Sequence, residues 1–216
     1  MKICSFTLFA LASALPTIAG SFTITDIVDP NGNITNALSP FTSVTITNGF
    51  STSDGLGWSN VGAQITTLGP TFDLGFYGEF ACSTPGGCTD TFEVDYGATG
   101  FLSGTNAFVA LDGFGSEGSV FLQAYGANQS LGSLASNASS LFSMTSSPIL
   151  VGSPADFSGQ MYVTISLEDG GNLSLPGATS ANLIVTQGSG VPEPGTLGIV
   201  AACGLLLFYI RRLRKA

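Results

Sequence analysis

Acid–base chemistry in this chain could rest only on carboxylates. The 216-residue sequence has no histidine, and its basic residues all lie near the two ends: Lys2, Arg211, Arg212, Arg214 and Lys215. Ser/His/Asp and Cys/His catalysis are therefore excluded from the segment between them. Paired carboxylates could still hydrolyse glycosides. The candidates are Glu79, Glu93, Asp95, Glu117, Glu168 and Asp169. Because nothing in the sequence pairs them, we interpret them as solvated side chains and assign no catalytic residue.

Aromatic side chains offer a second kind of chemistry, stacking on sugar rings. Trp58, Tyr77, Tyr96 and Tyr125 would form a carbohydrate platform if they were exposed together. Single aromatic residues at strand spacing are more often core residues. Carbohydrate binding is therefore the alternative function at this point, and a carboxylate-dependent glycosidase is a further one.

Cys82 and Cys88 enclose the turn sequence Pro85-Gly86-Gly87. In an oxidising compartment this spacing favours a disulfide that closes a short loop between two strands. A metal-binding or redox pair is the other interpretation, but no third ligand lies nearby in the sequence.

A metal site is not assigned. Asp29, Asn31 and Asn33 have the spacing that opens a calcium loop. However, Ile34 stands where that loop needs glycine and Pro40 where it needs its closing glutamate. We therefore predict a turn here and no cofactor, and leave Ca²⁺ open at another oxygen-rich position.

The charge balance excludes one class of partner. Of the 14 acidic residues only Glu193 lies in the C-terminal tail, which leaves 13 carboxylates and no cation in residues 20–190. Nucleic acid binding is excluded because no side chain there could neutralise phosphate. We expect repulsion among these carboxylates to make the body more stable in salt or divalent cations and at mildly acidic pH.

The elements that carry these residues have a period of two, which predicts an all-β body. Runs rich in Val, Ile, Thr and aromatic residues, bounded by turn residues, predict strands at 22–28, 43–48, 63–68, 72–80, 91–96, 107–112, 119–125, 160–168 and 181–187. Their number favours a single two-sheet β-sandwich, either a jelly roll or immunoglobulin-like. The Ser-rich stretch 130–147 is predicted as a short helix or a mobile loop.

The N-terminus has the pattern of a secretory signal peptide. Lys2 precedes an apolar run that ends at Pro16, and Thr17-Ile18-Ala19 fits the small-x-small rule of signal peptidase. We place cleavage between Ala19 and Gly20, with cleavage after Ala14 as the alternative. The general secretion machinery and signal peptidase are the implied partners.

The C-terminus has three consecutive parts. Pro192-Glu193-Pro194 precedes the uncharged run 195–210, which is followed by the basic cluster Arg211, Arg212, Arg214 and Lys215. The run is shorter than the hydrocarbon core of a bilayer, but Arg211 and Arg212 can snorkel and extend it at one end, so it predicts a single transmembrane helix. The cluster predicts that residues 211–216 lie in the cytoplasm.

This order of motif, span and basic cluster resembles the PEP-CTERM sorting signal of Gram-negative bacteria. The resemblance covers only the tail and implies recognition at the inner membrane by an exosortase, a cysteine-dependent membrane enzyme. It further implies removal of the tail and transfer of the body to the cell surface or exopolysaccharide matrix. Pro192, Glu193 and Pro194 match the recognition motif.

These observations predict four parts: a signal peptide (1–19), a β-sandwich ectodomain (20–187), a linker (188–191) and a sorting tail (192–216). The leading hypothesis is an exported, non-enzymatic protein of the surface or the biofilm-type extracellular matrix. It would be anchored in the inner membrane before processing. Its expected partners are an exosortase-type enzyme and exopolysaccharide.

Overall fold

A computed structural model describes residues 20–36, 43–137, 140–152 and 155–188. The predicted signal peptide (residues 1–19) and the whole sorting tail lie outside these residues. The same is true of most of the predicted linker. Of the predicted cleavage point between Ala19 and Gly20, only Gly20 is described. Among the described residues, no helix is long and apolar enough to cross a membrane, and the predicted span 195–210 is not among them.

The described residues form an all-β structure, as the period-two pattern predicts. Phe92, Val94 and Tyr96 are buried and alternate with the half-buried Glu93 and Asp95, as expected for a strand with one apolar face. The strands are β1 (Ser21–Val28), β2 (Ile34–Asn36), β3 (Ser43–Thr45), β4 (Gly49–Phe50), β5 (Leu56–Leu68), β6 (Thr71–Cys82), β7 (Cys88–Thr99), β8 (Asn106–Gly126), β9 (Gln129–Asn137), β10 (Leu141–Thr145), β11 (Ile149–Leu150), β12 (Asp156–Leu175) and β13 (Ala181–Thr186).

The strands pair antiparallel into one continuous sheet that folds over on itself. In the first layer the order is β2-β1-β7-β12-β8-β9, using the N-terminal part of β12 and the C-terminal part of β8. In the second layer it is β3-β5-β6-β13-β8-β10, using the N-terminal part of β8. The predicted β-sandwich is confirmed, but the long strands β8 and β12 join the two layers through hydrogen bonds.

Aromatic rings from both layers meet in the core. Phe92 of the first layer lies 5.4 Å, centroid to centroid, from each of Trp58, Phe76 and Phe80 of the second. At the other end of the core, Phe22 on β1 contacts Phe72 on β6 at 6.3 Å. Edge-to-face and tilted ring pairs of this kind add to the apolar burial that holds the layers together.

The Ser-rich stretch is the main correction to the predicted elements. It is neither a helix nor a loop, since residues 129–137 form β9 and residues 141–145 form β10. Both strands pair with β8, and Leu131 of β9 is fully buried. Serine has low strand propensity, but backbone pairing with a long neighbour and a few buried side chains outweigh that preference. The separate strands predicted at 107–112 and 119–125 are parts of the single strand β8.

The predicted disulfide is present. Cys82 ends β6 and Cys88 begins β7, their sulfur atoms are bonded, and their Cα atoms are 5.8 Å apart. It closes the loop between a strand of the second layer and a strand of the first. Because a closed loop of this length restricts the unfolded chain, the disulfide adds about 2 kcal/mol to the free energy of unfolding in the chain-entropy model.

Replacing Phe92 with alanine tests the packing between the layers. We expect Phe92→Ala to lower the free energy of unfolding by about 3–5 kcal/mol, because it removes a ring that contacts three others across the core. The control Phe50→Ala removes a ring that is 65% exposed, and should cost less than about 0.5 kcal/mol. Urea unfolding followed by tryptophan fluorescence measures both. Equal losses in the two variants would contradict this account of the core.

Candidate functional site

Side chains on the outer face of the first layer form rows that cross β7, β12 and β8. In one row the neighbouring residues are Asp95, Gln160 and Tyr125. In the next row they are Glu93, Tyr162 and Gln123. Side chains directly opposite each other on adjacent strands are close enough to interact, so the rows bring acidic, amide and aromatic groups together.

A β-bulge adds Asp26 to the first row. The pairing of β1 with β7 shifts between Ile24 and Asp26, which leaves Thr25 as the extra residue. Without the bulge, the alternation that buries Phe22 and Ile24 would turn Asp26 toward the core. With it, Ile27 is buried instead and Asp26 pairs with Asp95 on the outer face.

Hydrogen bonds fix the side chains of the two rows relative to one another. The Gln160 amide donates to Glu93, and the Tyr162 hydroxyl donates to the Gln160 amide oxygen at 2.9 Å. The Tyr162 hydroxyl also lies 3.4 Å from the Glu93 carboxylate. The Tyr125 and Tyr162 rings meet edge to face, with their centroids 6.2 Å apart. The two tyrosines are therefore held as one aromatic surface beside the carboxylates.

We call this site the carboxylate–tyrosine cleft, formed by Asp26, Glu93, Asp95, Tyr125, Gln160 and Tyr162. Its open depression has a volume of about 640 Å³ and is lined by Asp26, Asp95, Tyr125 and Gln160, with Gln129 and Ser158 in its wall. Glu93 and Tyr162 lie beside the depression, in the neighbouring row. One rim is the hairpin turn between β8 and β9. Ala127 and Asn128 there both have positive φ, as a two-residue type I′ turn requires.

The floor of the cleft is built around the hydroxyl of Tyr96. This buried tyrosine donates a 2.6 Å hydrogen bond to the carbonyl oxygen of Tyr125. A Cβ atom at Gly159 would lie only 2.1 Å from that carbonyl oxygen and 2.3 Å from the hydroxyl. Glycine at this position is what allows β12 to pass directly over the hydroxyl. Tyr96 thereby fixes the backbone that carries the exposed Tyr125 ring.

Two carboxylates of the cleft, Asp26 and Glu93, are protonated more readily than ordinary ones. Burial, the hydrogen bond that protonated Asp26 donates to Asp95, and the charges of Asp95 and Glu93 together raise the pKa of Asp26 to about 6. Burial and the charge of Asp95 also raise the pKa of Glu93. No described residue is a Lys, Arg or His, so no side-chain cation opposes these shifts.

This arrangement suits binding better than hydrolysis. Glycosidase carboxylates stand roughly 5–10 Å apart so that the sugar or a water can lie between them. Asp26 and Asp95 instead hydrogen-bond to each other. The cleft offers hydrogen-bond acceptors, one amide and two ring faces. Within the described ranges, no three His, Cys, Asp or Glu side chains come together as metal ligands.

A second acidic pair lies at the disulfide loop. Asp54 hydrogen-bonds to Asp90 and accepts the backbone N–H groups of Thr89 and Leu56. These donors lower the pKa of Asp54 against the opposing effect of burial. Burial and the hydrogen bond that protonated Asp90 donates to Asp54 raise the pKa of Asp90 to about 6. Glu168 and Asp169 are exposed and line the depression beside this pair. The donors here are used within the fold, so we interpret the pair as structural.

The structure separates the aromatic residues that the sequence placed together. Trp58 and Tyr96 are core residues, only 5% and 1% exposed. Tyr77 is half-buried on β6 of the second layer, whereas Tyr125 is 40% exposed. The four residues therefore form no common platform, and the interpretation of single aromatic residues as core residues is confirmed for Trp58 and Tyr96. The partner of Tyr125 is Tyr162, which sequence reasoning missed, although its alternation with buried Met161 and Val163 already indicated an outward-facing side chain.

The predicted carboxylates also divide into separate groups. Glu93 and Asp95 lie together in the cleft, and Asp26 joins them without having been predicted. Glu79 is exposed on the other layer, where it accepts a hydrogen bond from Ser59 at 3.1 Å, and Glu117 is exposed at the bend of β8. The sorting motif Pro192-Glu193-Pro194 and the basic cluster after residue 210 lie outside the described residues.

The calcium-like spacing after β1 is a turn, as predicted. The Asp29 carboxylate accepts the backbone N–H groups of Asn31 and Asn33, each at 2.9 Å. It also accepts the Asn33 amide at 2.9 Å. The Asn31 side chain hydrogen-bonds to the backbone of Phe50 and Thr52, and so attaches this turn to the second layer.

Comparison with known proteins identifies no family. No family model matches the chain, and no curated protein matches it. Several solved structures show a distant likeness, and three of them are described below. TmCBM61, solved in complex with β-1,4-galactotriose, has 10% identity, a TM-score of 0.35 and coverage of 69% of this chain and 90% of its own. The CBM36-1 domain of a multidomain xylanase from the hindgut metagenome of Trinervitermes trinervoides has 16% identity and a TM-score of 0.29. The match covers 79% of this chain and 100% of that domain.

The third structure is the secreted serine protease VesC from Vibrio cholerae, with 9% identity and a TM-score of 0.24. The match covers 79% of this chain and 44% of the protease. All three TM-scores are low, and none of these likenesses identifies a shared function.

The raised pKa of Asp26 predicts a pH dependence of stability. Its pKa in the folded state, about 6, exceeds the ordinary value of 3.8, so the fold favours the protonated form. This contribution is fully present below about pH 4 and is lost as pH rises through about 6. We therefore expect the free energy of unfolding to be larger at pH 5 than at pH 7, and Asp26→Asn to reduce that difference.

Urea unfolding at the two pH values measures the effect. Glu117→Gln is the control, because it removes one charge from an exposed bend and should leave the difference between pH 5 and pH 7 as in the wild type. A wild-type protein that is less stable at pH 5, or an Asp26→Asn variant with an unchanged difference, would contradict the assignment.

Proposed function

We propose that the chain is an exported protein whose body binds neutral carbohydrate chains in the carboxylate–tyrosine cleft. The observation that carries this proposal is the pairing of the Tyr125 and Tyr162 rings on an open sheet face, beside Gln160 and Glu93 in one hydrogen-bonded set. We propose no catalytic role, since the acidic pairs of the body hydrogen-bond directly to each other.

The cleft matches the two-sided chemistry of a sugar. One side of a sugar ring is rich in C–H groups and packs on aromatic rings, and its hydroxyl groups donate and accept hydrogen bonds around the edge. Tyr125 and Tyr162 supply the aromatic surface. Asp26, Asp95 and Glu93 accept hydrogen bonds from hydroxyl groups, and the Gln160 amide can both donate and accept hydrogen bonds. An open sheet face also lets a polymer continue beyond the cleft in either direction.

Charge restricts the glycan to a neutral one. The body carries 13 carboxylates and no Lys, Arg or His, so a uronate or sulfate group would meet only like charge. Asp26 and Asp95 line the depression of the cleft, and Glu93 lies beside it in hydrogen-bond contact with Gln160. A cleft for acidic glycans would need at least one Lys or Arg, and residues 20–190 contain neither.

Export and sorting form the second half of the proposal, and they rest on the two ends of the sequence. The pattern of residues 1–19 supports secretion, and the resemblance of residues 192–216 to a PEP-CTERM tail supports transfer by an exosortase-type enzyme. In this proposal the released body remains at the cell surface or in the extracellular matrix. The neutral exopolysaccharide of that matrix would be its ligand.

Removing either tyrosine ring should weaken glycan binding. We expect Tyr125→Ala and Tyr162→Ala each to raise the Kd for a neutral polysaccharide about tenfold, because each removes one stacking face. The full chain is tested by affinity electrophoresis in gels that contain a glucan, a mannan, a galactan or, as the acidic probe, an alginate. Retardation is expected with at least one neutral polymer and not with alginate.

Phe50→Ala is the matched control, since it removes an exposed ring that is outside the cleft and should leave the retardation unchanged. Three results would overturn the proposal: no retardation by any neutral polymer, preference for alginate, or equal loss of binding in Phe50→Ala.

Intact-mass measurement tests the sorting half independently. We expect the extracellular fraction of producing cells to contain a species that lacks residues 1–19 and the segment after about residue 194. Glu193→Ala, which alters the sorting motif, should abolish this species and leave full-length C-terminal sequence in the membrane. If the wild-type chain occurs only in the membrane with its C-terminus intact, the tail is a plain anchor and the sorting proposal fails.

A further inference from the structure

A second polar site lies on the outer face of the second layer, on the opposite side of the sandwich from the carboxylate–tyrosine cleft. Asn182 on β13 pairs with Gly75 on β6, and the loop 176–180 between β12 and β13 covers both. Asp73 lies two residues before Gly75 on the same strand. Asn182 is only 3% exposed, although it is on an outward-facing position of its strand. The loop is therefore what buries it.

The backbone of the loop comes unusually close to Gly75. A Cβ atom at this position would lie 1.7 Å from the carbonyl oxygen of Ala178 and 2.8 Å from Oδ1 of Asn182. No residue other than glycine fits there. Since both oxygen atoms lie close to the same point, a main-chain carbonyl and a side-chain carbonyl converge beneath the loop.

Two oxygen atoms of this site lack a hydrogen-bond donor. Oδ1 of Asn182 and Oδ1 of Asp73 are both buried, and neither has a partner among the described residues. The Asn182 nitrogen donates to Oδ2 of Asp73 at 3.4 Å, which fixes the orientation of the amide. Buried acceptors without a donor are rare in folded proteins.

No side-chain cation can satisfy this group. The described residues include no Lys, Arg or His, and burial alone raises the pKa of Asp73 to about 6. A carboxylate, an amide oxygen and a main-chain carbonyl are all hard oxygen ligands, of the kind that Ca²⁺ accepts in irregular geometry and completes with water. Mg²⁺ demands a regular octahedron and releases its water reluctantly, so it fits this set less well.

We infer that Asp73, Asn182 and the carbonyl group of Ala178 form a binding site for a calcium-type divalent cation, which ties the β12–β13 loop to the second layer. With a single carboxylate, the Kd should be in the range of extracellular calcium modules, about 0.1–1 mM. The cation would neutralise Asp73 and engage both acceptors that lack a donor.

Thermal unfolding of the full chain tests this inference. For a Kd of about 1 mM, 10 mM CaCl₂ should raise the Tm by about 3–5 °C relative to NaCl of equal ionic strength, and MgCl₂ should raise it less. Asp73→Asn should abolish the calcium-specific rise, yet have a Tm in NaCl at least as high as the wild type at pH 7. Its loss of response would then not be the result of misfolding.

Two further variants complete the test. Asn182→Asp adds a second carboxylate and should lower the Kd for Ca²⁺ measured by calorimetric titration. Glu117→Gln removes one charge at the exposed bend of β8 and should keep the full calcium response. The inference is overturned if CaCl₂ and NaCl give the same Tm in the wild type, or if Asp73→Asn keeps the calcium-specific rise. In either case the glycan proposal is unaffected, because its site is on the other face.

Discussion

The absence of any cation from the body shapes most of its polar structure. Thirteen carboxylates must be solvated, protonated or bound by neutral donors, since no salt bridge can form within residues 20–190. The structure shows each solution: a turn that surrounds Asp29 with N–H groups, acidic pairs that share a hydrogen bond, and the half-buried Asp73 with no counter-charge. The absence of side-chain cations also favours neutral glycans over acidic ones. It leaves Asp73 without a counter-charge, which is why we propose a divalent cation there.

The two long strands β8 and β12 connect this chemistry to the fold. Their central bends pass from one layer to the other, so the core around Phe92 is closed by backbone hydrogen bonds as well as by apolar packing. In the first layer these strands carry Tyr125, Gln160 and Tyr162 to the outer face. In the second, β12 leads into the loop that buries Asn182. Both candidate sites therefore depend on how the same two strands cross the sandwich.

Strand faces and the disulfide can be predicted from the sequence because they depend on local alternation and spacing. Features that depend on which strands pair, such as a bulge or a strand of low propensity, cannot. The alternation of Phe92, Val94 and Tyr96 and the spacing of Cys82 and Cys88 lead to the correct strand faces and the correct disulfide. Asp26 was missed because a bulge at Thr25, which depends on β7, turns it outward. The Ser-rich strand β9 was missed because its pairing with β8 outweighs its weak propensity. Trp58 lies in the core, as strand spacing favours for a single aromatic residue, and its ring packs on Phe92 from across the core.

The most direct test of the central claim follows the tyrosine rings themselves during glycan binding. The full chain is labelled with ring-¹³C tyrosine, resonances are assigned by Tyr→Phe substitution, and the neutral polysaccharide fragment that binds best is titrated in. The account predicts that the Tyr125 and Tyr162 resonances shift together to saturation, while those of Tyr77 on the other layer and Tyr96 in the core move little. Saturable binding that shifts Tyr77 and leaves Tyr125 and Tyr162 unchanged would place the glycan elsewhere and contradict the account.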